Sequence, residues 1–77
     1  MKGEGIYVTC YSGRHYEERP VSFVWRGKKH EIKLIEKEWM EPGERSFTVK
    51  TREDRTFIIS YDRKEDAWSL VEIEVEN

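Results

Sequence analysis

The sequence predicts an all-β domain: five to six short antiparallel strands in a bent sheet or a small open barrel. Three observations carry this. Apolar residues alternate with period two along most of the chain, which suits half-buried strands and not helices. One segment, Arg19 to Trp39, reads as a hairpin in which turn chemistry and apolar faces agree. Two adjacent apolar pairs, Leu34-Ile35 and Leu70-Val71, break the alternation, as bulges or bends do in a strongly curved sheet.

The first strand is Ile6 to Tyr11, with Ile6, Val8 and Cys10 on one side and Tyr7, Thr9 and Tyr11 on the other. A polar connection, Ser12 to Arg19, follows. Pro20 closes it, because proline suits the first residue of a strand. In the hairpin, a two-residue type II′ turn needs glycine first, which selects Gly27-Lys28. That register sets Trp25 opposite His30, Phe23 opposite Ile32 and Val21 opposite Leu34. One face then collects Val21, Phe23, Trp25, Ile32 and Leu34, with His30 at its turn end. The other collects Ser22, Arg26, Lys29, Glu31 and Lys33, with Val24 its only apolar member.

Past Leu34 the phase changes, and Ile35, Lys37 and Trp39 share parity. The Glu/Lys content of Ile32 to Met40 also suits a helix, so residues 35–41 are left between strand and helix. Pro42 and Gly43 are expected at the centre of a turn. Phe47–Thr51 and Thr56–Tyr61 follow as strands joined by the polar run Arg52-Glu53-Asp54-Arg55, whose register stays open. Asp62 to Asp66 is a polar turn, and Trp68–Val75 is the last strand.

Length and composition fit one small domain over residues 1–77, with residues 1–4 as a flexible lead-in. Hydrophobic residues make up 36%, but aromatics reach 13%, so a few large anchors must build the core. Charged residues make up 39%. They alternate with apolar ones and read as solvated strand faces. The lone Cys10 excludes an internal disulfide, and no apolar run reaches membrane-spanning length. The start lacks a signal-peptide core. A cytoplasmic protein with no membrane partner is expected.

Residues 1–35 hold seven Lys/Arg against four Asp/Glu, a balance of +3, and residues 36–77 hold seven against twelve, a balance of −5. Pairing of these opposite charges within one sheet explains the asymmetry more simply than a polarised surface does.

Few residues of the chain could supply catalytic or metal chemistry. Cys10, His15 and His30 lack the close spacing of zinc ligands. Cys10 lies on an alternating strand, where a free cysteine acts as a small hydrophobe. There is no serine elbow and no phosphate-cradling glycine loop. No catalytic residue, metal ligand or cofactor is expected.

The basic hairpin tip is the sharper candidate. Arg26, Lys28, Lys29, His30 and Lys33 form a possible contact surface for a partner or for a single nucleic-acid strand. Against the nucleic-acid reading stand the acidic pI of about 5.7 and the place of Trp25 on the apolar face. At least two of Trp25, Trp39 and Trp68 are expected in the core. A non-enzymatic interaction or accessory module, with a protein partner or a second copy, fits with least strain; weak single-strand nucleic-acid binding through the tip is the alternative.

The pattern Arg19-Pro20-x-x-Phe23-x-Trp25-x-Gly27, followed by Trp39 and more loosely by the aromatic strands through Trp68, resembles a small bacterial domain family of unknown function. That family occurs alone and as a C-terminal appendage of proteins related to DNA-repair polymerases. The resemblance implies no activity and adds weight to a nucleic-acid or repair-partner role.

Overall fold

The computed structural model describes residues 4–10 and 19–73, with the side chains of all of these except 72 and 73. Six strands follow one another: β1 (Glu4–Cys10), β2 (Pro20–Trp25), β3 (Lys28–Glu41), β4 (Glu44–Thr51), β5 (Thr56–Asp62) and β6 (Ala67–Ile73). Each pairs antiparallel with its neighbours in sequence, and β6 pairs with β1. The expected bent sheet or open barrel is thus a closed up-and-down barrel. Closure pairs strand edges that an open sheet would leave bare.

Period-two alternation builds the interior. Ile6, Val8 and Cys10 of β1 point inward, as do Phe47 and Val49 of β4, Phe57, Ile59 and Tyr61 of β5, and Trp68 and Leu70 of β6. Phe23 and Trp25 of β2 complete the core. Phe57 meets Phe23 edge-on at 5.2 Å between ring centroids and Trp25 at 5.4 Å, the geometry that aromatic quadrupoles favour. Trp25 and Trp68 are buried, and Trp39 is half-buried.

The hairpin differs from expectation in its turn. Arg26 and Gly27 both have positive φ, 54° and 76°, and Trp25 pairs with Lys28. This is a type I′ arrangement, in which glycine takes the second central position. The partners shift by two residues, so each side chain keeps its face but gains a new neighbour. His30 opposes Phe23, not Trp25, and is buried at 3% exposure. It is a core residue and does not belong to an exposed tip.

Two further corrections concern the apolar face. Leu34 is 50% exposed, because β3 carries irregularities between Ile32 and Leu34 and between Ile35 and Lys37. Each gives β3 an extra residue against β4, so Ile32 and Ile35 pack on the core while Leu34 and Lys37 lie opposite Lys50 and Thr48, and half-buried Trp39 lies opposite buried Ser46. Val21 is also exposed. The β1–β2 ladder slips between Thr9 and Cys10, and Pro20 is buried in its place. Residues 35–41 are strand throughout. No bulge interrupts the β5–β6 register at Leu70-Val71; Val71 is simply an exposed outward residue.

The remaining turns follow their chemistry. Glu41 pairs with Glu44 around Pro42-Gly43, with Gly43 at φ 78° as a type II turn requires. In the β4–β5 loop, Asp54 N donates to Thr51 O and Thr51 N to Arg55 O, with Asp54 at φ 65°. In the β5–β6 loop, the Asp62 carboxylate accepts from the backbone N–H groups of Lys64 and Glu65, and Asp66 takes the left-handed position. Glu4 opens β1, while residues 1–3, the connection 11–18 with Tyr11 and His15, and residues 74–77 lie outside the described residues.

Candidate partner-binding groove

The five tip residues are brought close together, but not as an open basic surface. Arg26 Nη2 lies 2.8 Å from Glu4 Oε2. Lys28 Nζ lies 3.1 Å from Glu53 Oε2, and His30 Nδ1 lies 3.2 Å from Glu53 Oε1. Lys33 Nζ lies 3.0 Å from Asp54 Oδ1. Glu53 and Asp54 come from the β4–β5 loop, which leans on β3 through the bond from Arg52 N to Glu31 O. Lys29 stands opposite Val24 on the outer face and makes no ion pair among the described residues.

The pairing leaves an electrostatic mark on the acids. The hydrogen bond from Lys28 holds the Glu53 carboxyl below its ordinary range, the one from Arg26 does the same for Glu4, and the one from Lys33 for Asp54. Above this cluster, Arg26 lies over the Trp25 ring at 4.6 Å and Arg55 over Trp25 and Phe57 at 5.4 and 5.3 Å. The Trp25 indole is sealed beneath guanidinium groups, and its Nε1, beside Glu4, makes no hydrogen bond of good geometry. A base has no open indole face to stack on here.

A different surface lies where β1 and β6 part. Their ladder has three pairs: Glu4 with Leu70, Gly5 with Ser69 and Ile6 with Trp68. β6 begins at Ala67, whereas β1 runs on to Cys10 beside β2. From Tyr7 to Thr9, β1 therefore has a strand partner on one side only, among the described residues. A groove of about 480 Å³ opens along this edge, lined by Ile6, Tyr7, Val8, Asp66 and Trp68. Tyr7 is 82% exposed, the highest value among the large apolar side chains that reach solvent. A second hollow of about 170 Å³ continues it across Gly5, Ala67 and Trp68 to Glu44, Asp62 and Glu65. A Cβ added at Gly5 would meet nothing within 4 Å, so the floor of the groove stays low there.

Comparison with protein-family models, with curated proteins and with solved structures found no match. The residues of the Arg19–Gly27 motif have structural places in this barrel: Pro20 opens β2, Phe23 and Trp25 fill the core, and Gly27 makes the turn.

The chemistry available to each surface follows from these placements. Cys10 is 1% exposed within the core, and the described residues hold no cluster of three or more His, Cys, Asp or Glu able to bind a metal ion. The β1 edge offers backbone N–H and C=O groups beside an apolar groove, the combination that takes up an extended chain by strand addition. The sequence offers Tyr7 only as one of several aromatics, with Trp25, Tyr11 and Tyr16, that could stack a base if exposed. Its signal is the outward parity of an aromatic at the point where β6 has not yet begun.

Proposed function

We propose that this barrel is a non-enzymatic interaction module that accepts an extended segment of a partner protein along β1. The observation that carries the reading is the unequal reach of β1 and β6. It leaves the edge of Tyr7 to Thr9 beside a groove walled by Ile6, Val8 and Trp68. Main-chain hydrogen bonds would supply affinity, and alternate side chains of the added strand would enter the groove. Exposed Tyr7 adds a rigid aromatic contact of the kind enriched at interfaces.

The basic tip is less well suited to single-strand nucleic acid. Four of its five residues face carboxylates of this same chain, and Trp25 lies under Arg26 and Arg55. A phosphate backbone would have to displace Glu4, Glu53 and Asp54 first.

Selection from a displayed library of extended peptides tests the proposal, with counter-selection on the Gly5→Phe variant. Binders are expected to slow amide hydrogen exchange at those amides of Tyr7, Val8 and Thr9 that point away from β2. Binders that protect other strands and tolerate Gly5→Phe would refute strand addition at β1.

A further inference from the structure

We infer that the segment taken up along β1 is one whose apolar strand is flanked by lysine or arginine. This rests on strand addition at β1 and names the chemistry of the partner. A strand added beside β1 continues the line of β6 past Ala67, so one of its ends runs against the β5–β6 loop. That loop and the adjoining start of β4 present Asp62, Glu65, Asp66 and Glu44 to the two hollows, and among the described residues no lysine or arginine lines either of them. Arg63 and Lys64 belong to the same loop but are not part of those linings.

Part of this acidity is already engaged. Asp66 Oδ1 accepts from the Tyr61 hydroxyl, and Asp62 Oδ1 accepts from two backbone N–H groups. Asp66 still has a second oxygen, Glu44 and Glu65 line the adjoining hollow, and an ionised carboxylate can only accept. Donors that carry positive charge are therefore the complement: an ammonium or a guanidinium, the latter able to bind in bidentate fashion. An acidic flank would meet like charge in the same place, and such juxtapositions select against wrong partners. The alternation of an added strand places every second side chain toward Ile6, Val8 and Trp68, which asks for apolar residues there.

The probes are fluorescein-labelled peptides of alternating valine and threonine, flanked by arginines in one and by glutamates in the other, titrated against the full chain by fluorescence anisotropy. The arginine-flanked peptide is expected to bind at least about tenfold more tightly at low salt, with the ratio shrinking as salt rises. Glu65→Lys combined with Glu44→Lys, both surface changes, is expected to abolish the preference while thermal melting confirms the fold. If neither peptide binds, strand addition itself is overturned. If both bind alike and neither responds to the charge reversal, the groove stands and the basic-flank inference fails. Self-association of the chain seen by sedimentation and blocked by Gly5→Phe would instead make a second copy the occupant. Displacement of the peptide by labelled oligothymidine would make it a nucleic acid. Either result overturns the inference.

Discussion

His30 stacks on Phe23 directly across the β2–β3 ladder, with ring centroids 5.2 Å apart and 17° between the planes. Its imidazole is also 5.8 Å from Trp25 and 5.7 Å from Phe57, centroid to centroid. Nδ1 reaches out to Glu53. One residue thus ties the aromatic core to the β4–β5 loop. Truncation to alanine removes both functions. His30→Ala is expected to lower stability by about 3 kcal/mol, the lower end of the range for emptying a packed aromatic site. Urea unfolding followed by tryptophan fluorescence measures it. A loss below about 0.5 kcal/mol, the scale of ordinary surface substitutions, would contradict the packing role.

The acid limb of stability follows from Glu4, Glu53 and Asp54. Their carboxyls sit below the ordinary values of 4.5 for Glu and 3.8 for Asp because Arg26, Lys28 and Lys33 donate to them. A carboxyl with a depressed folded-state value contributes stability that is fully present above the unfolded value. That stability is lost as pH falls through the folded value, because the unfolded state takes up protons first. Melting temperature is therefore expected to be insensitive to these groups near neutrality and to drop from about pH 4.5 downward. Glu53→Gln is expected to make that acid drop shallower. An unchanged acid profile in Glu53→Gln would contradict the assignment.

Two glycines are expected to respond oppositely to substitution. Gly5 lies in a strand with open space where a Cβ would go, so Gly5→Val reduces the freedom of the unfolded chain at no steric cost. A gain of about 0.5–1 kcal/mol is expected. Gly27 also has open space but sits at φ 76°, so Gly27→Ala suffers from the backbone alone, by about 1–2 kcal/mol. Thermal melts of the two variants should move in opposite directions.

The tip is expected to ignore single strands. With Arg26, Lys28, His30 and Lys33 each facing an acid of the same chain, oligothymidine should leave tryptophan fluorescence unchanged even at low salt. Salt-sensitive binding that weakens in Lys28→Ala and Lys29→Ala would overturn this.

Local patterns carried most of the fold. The alternation of Ile6, Val8 and Cys10, the Pro42-Gly43 turn and the polar run at Asp62–Asp66 each follow from a few adjacent residues. The hairpin faces were right around Phe23 and Trp25 because an error of two residues in register preserves parity. What escaped depends on distant partners. The left-handed Arg26 is accompanied by its contacts with Trp25 and Glu4, the latter 22 residues away. Leu34 turns outward because two irregularities reset β3 against β4. The basic tip is answered by Glu53 and Asp54, which chain topology alone brings over β3. The groove is the most remote of all, since it exists only because the first strand pairs with the last and outruns it.

Amide hydrogen exchange at Tyr7, Val8 and Thr9, with and without the arginine-flanked peptide, tests strand addition most directly. Slower exchange at those of these amides that point away from β2, with the alternate ones unchanged, in the wild-type barrel, and no change in Gly5→Phe, is the result that strand addition at β1 predicts. Binding that leaves these amides unprotected, or that is equally strong in Gly5→Phe, would contradict it.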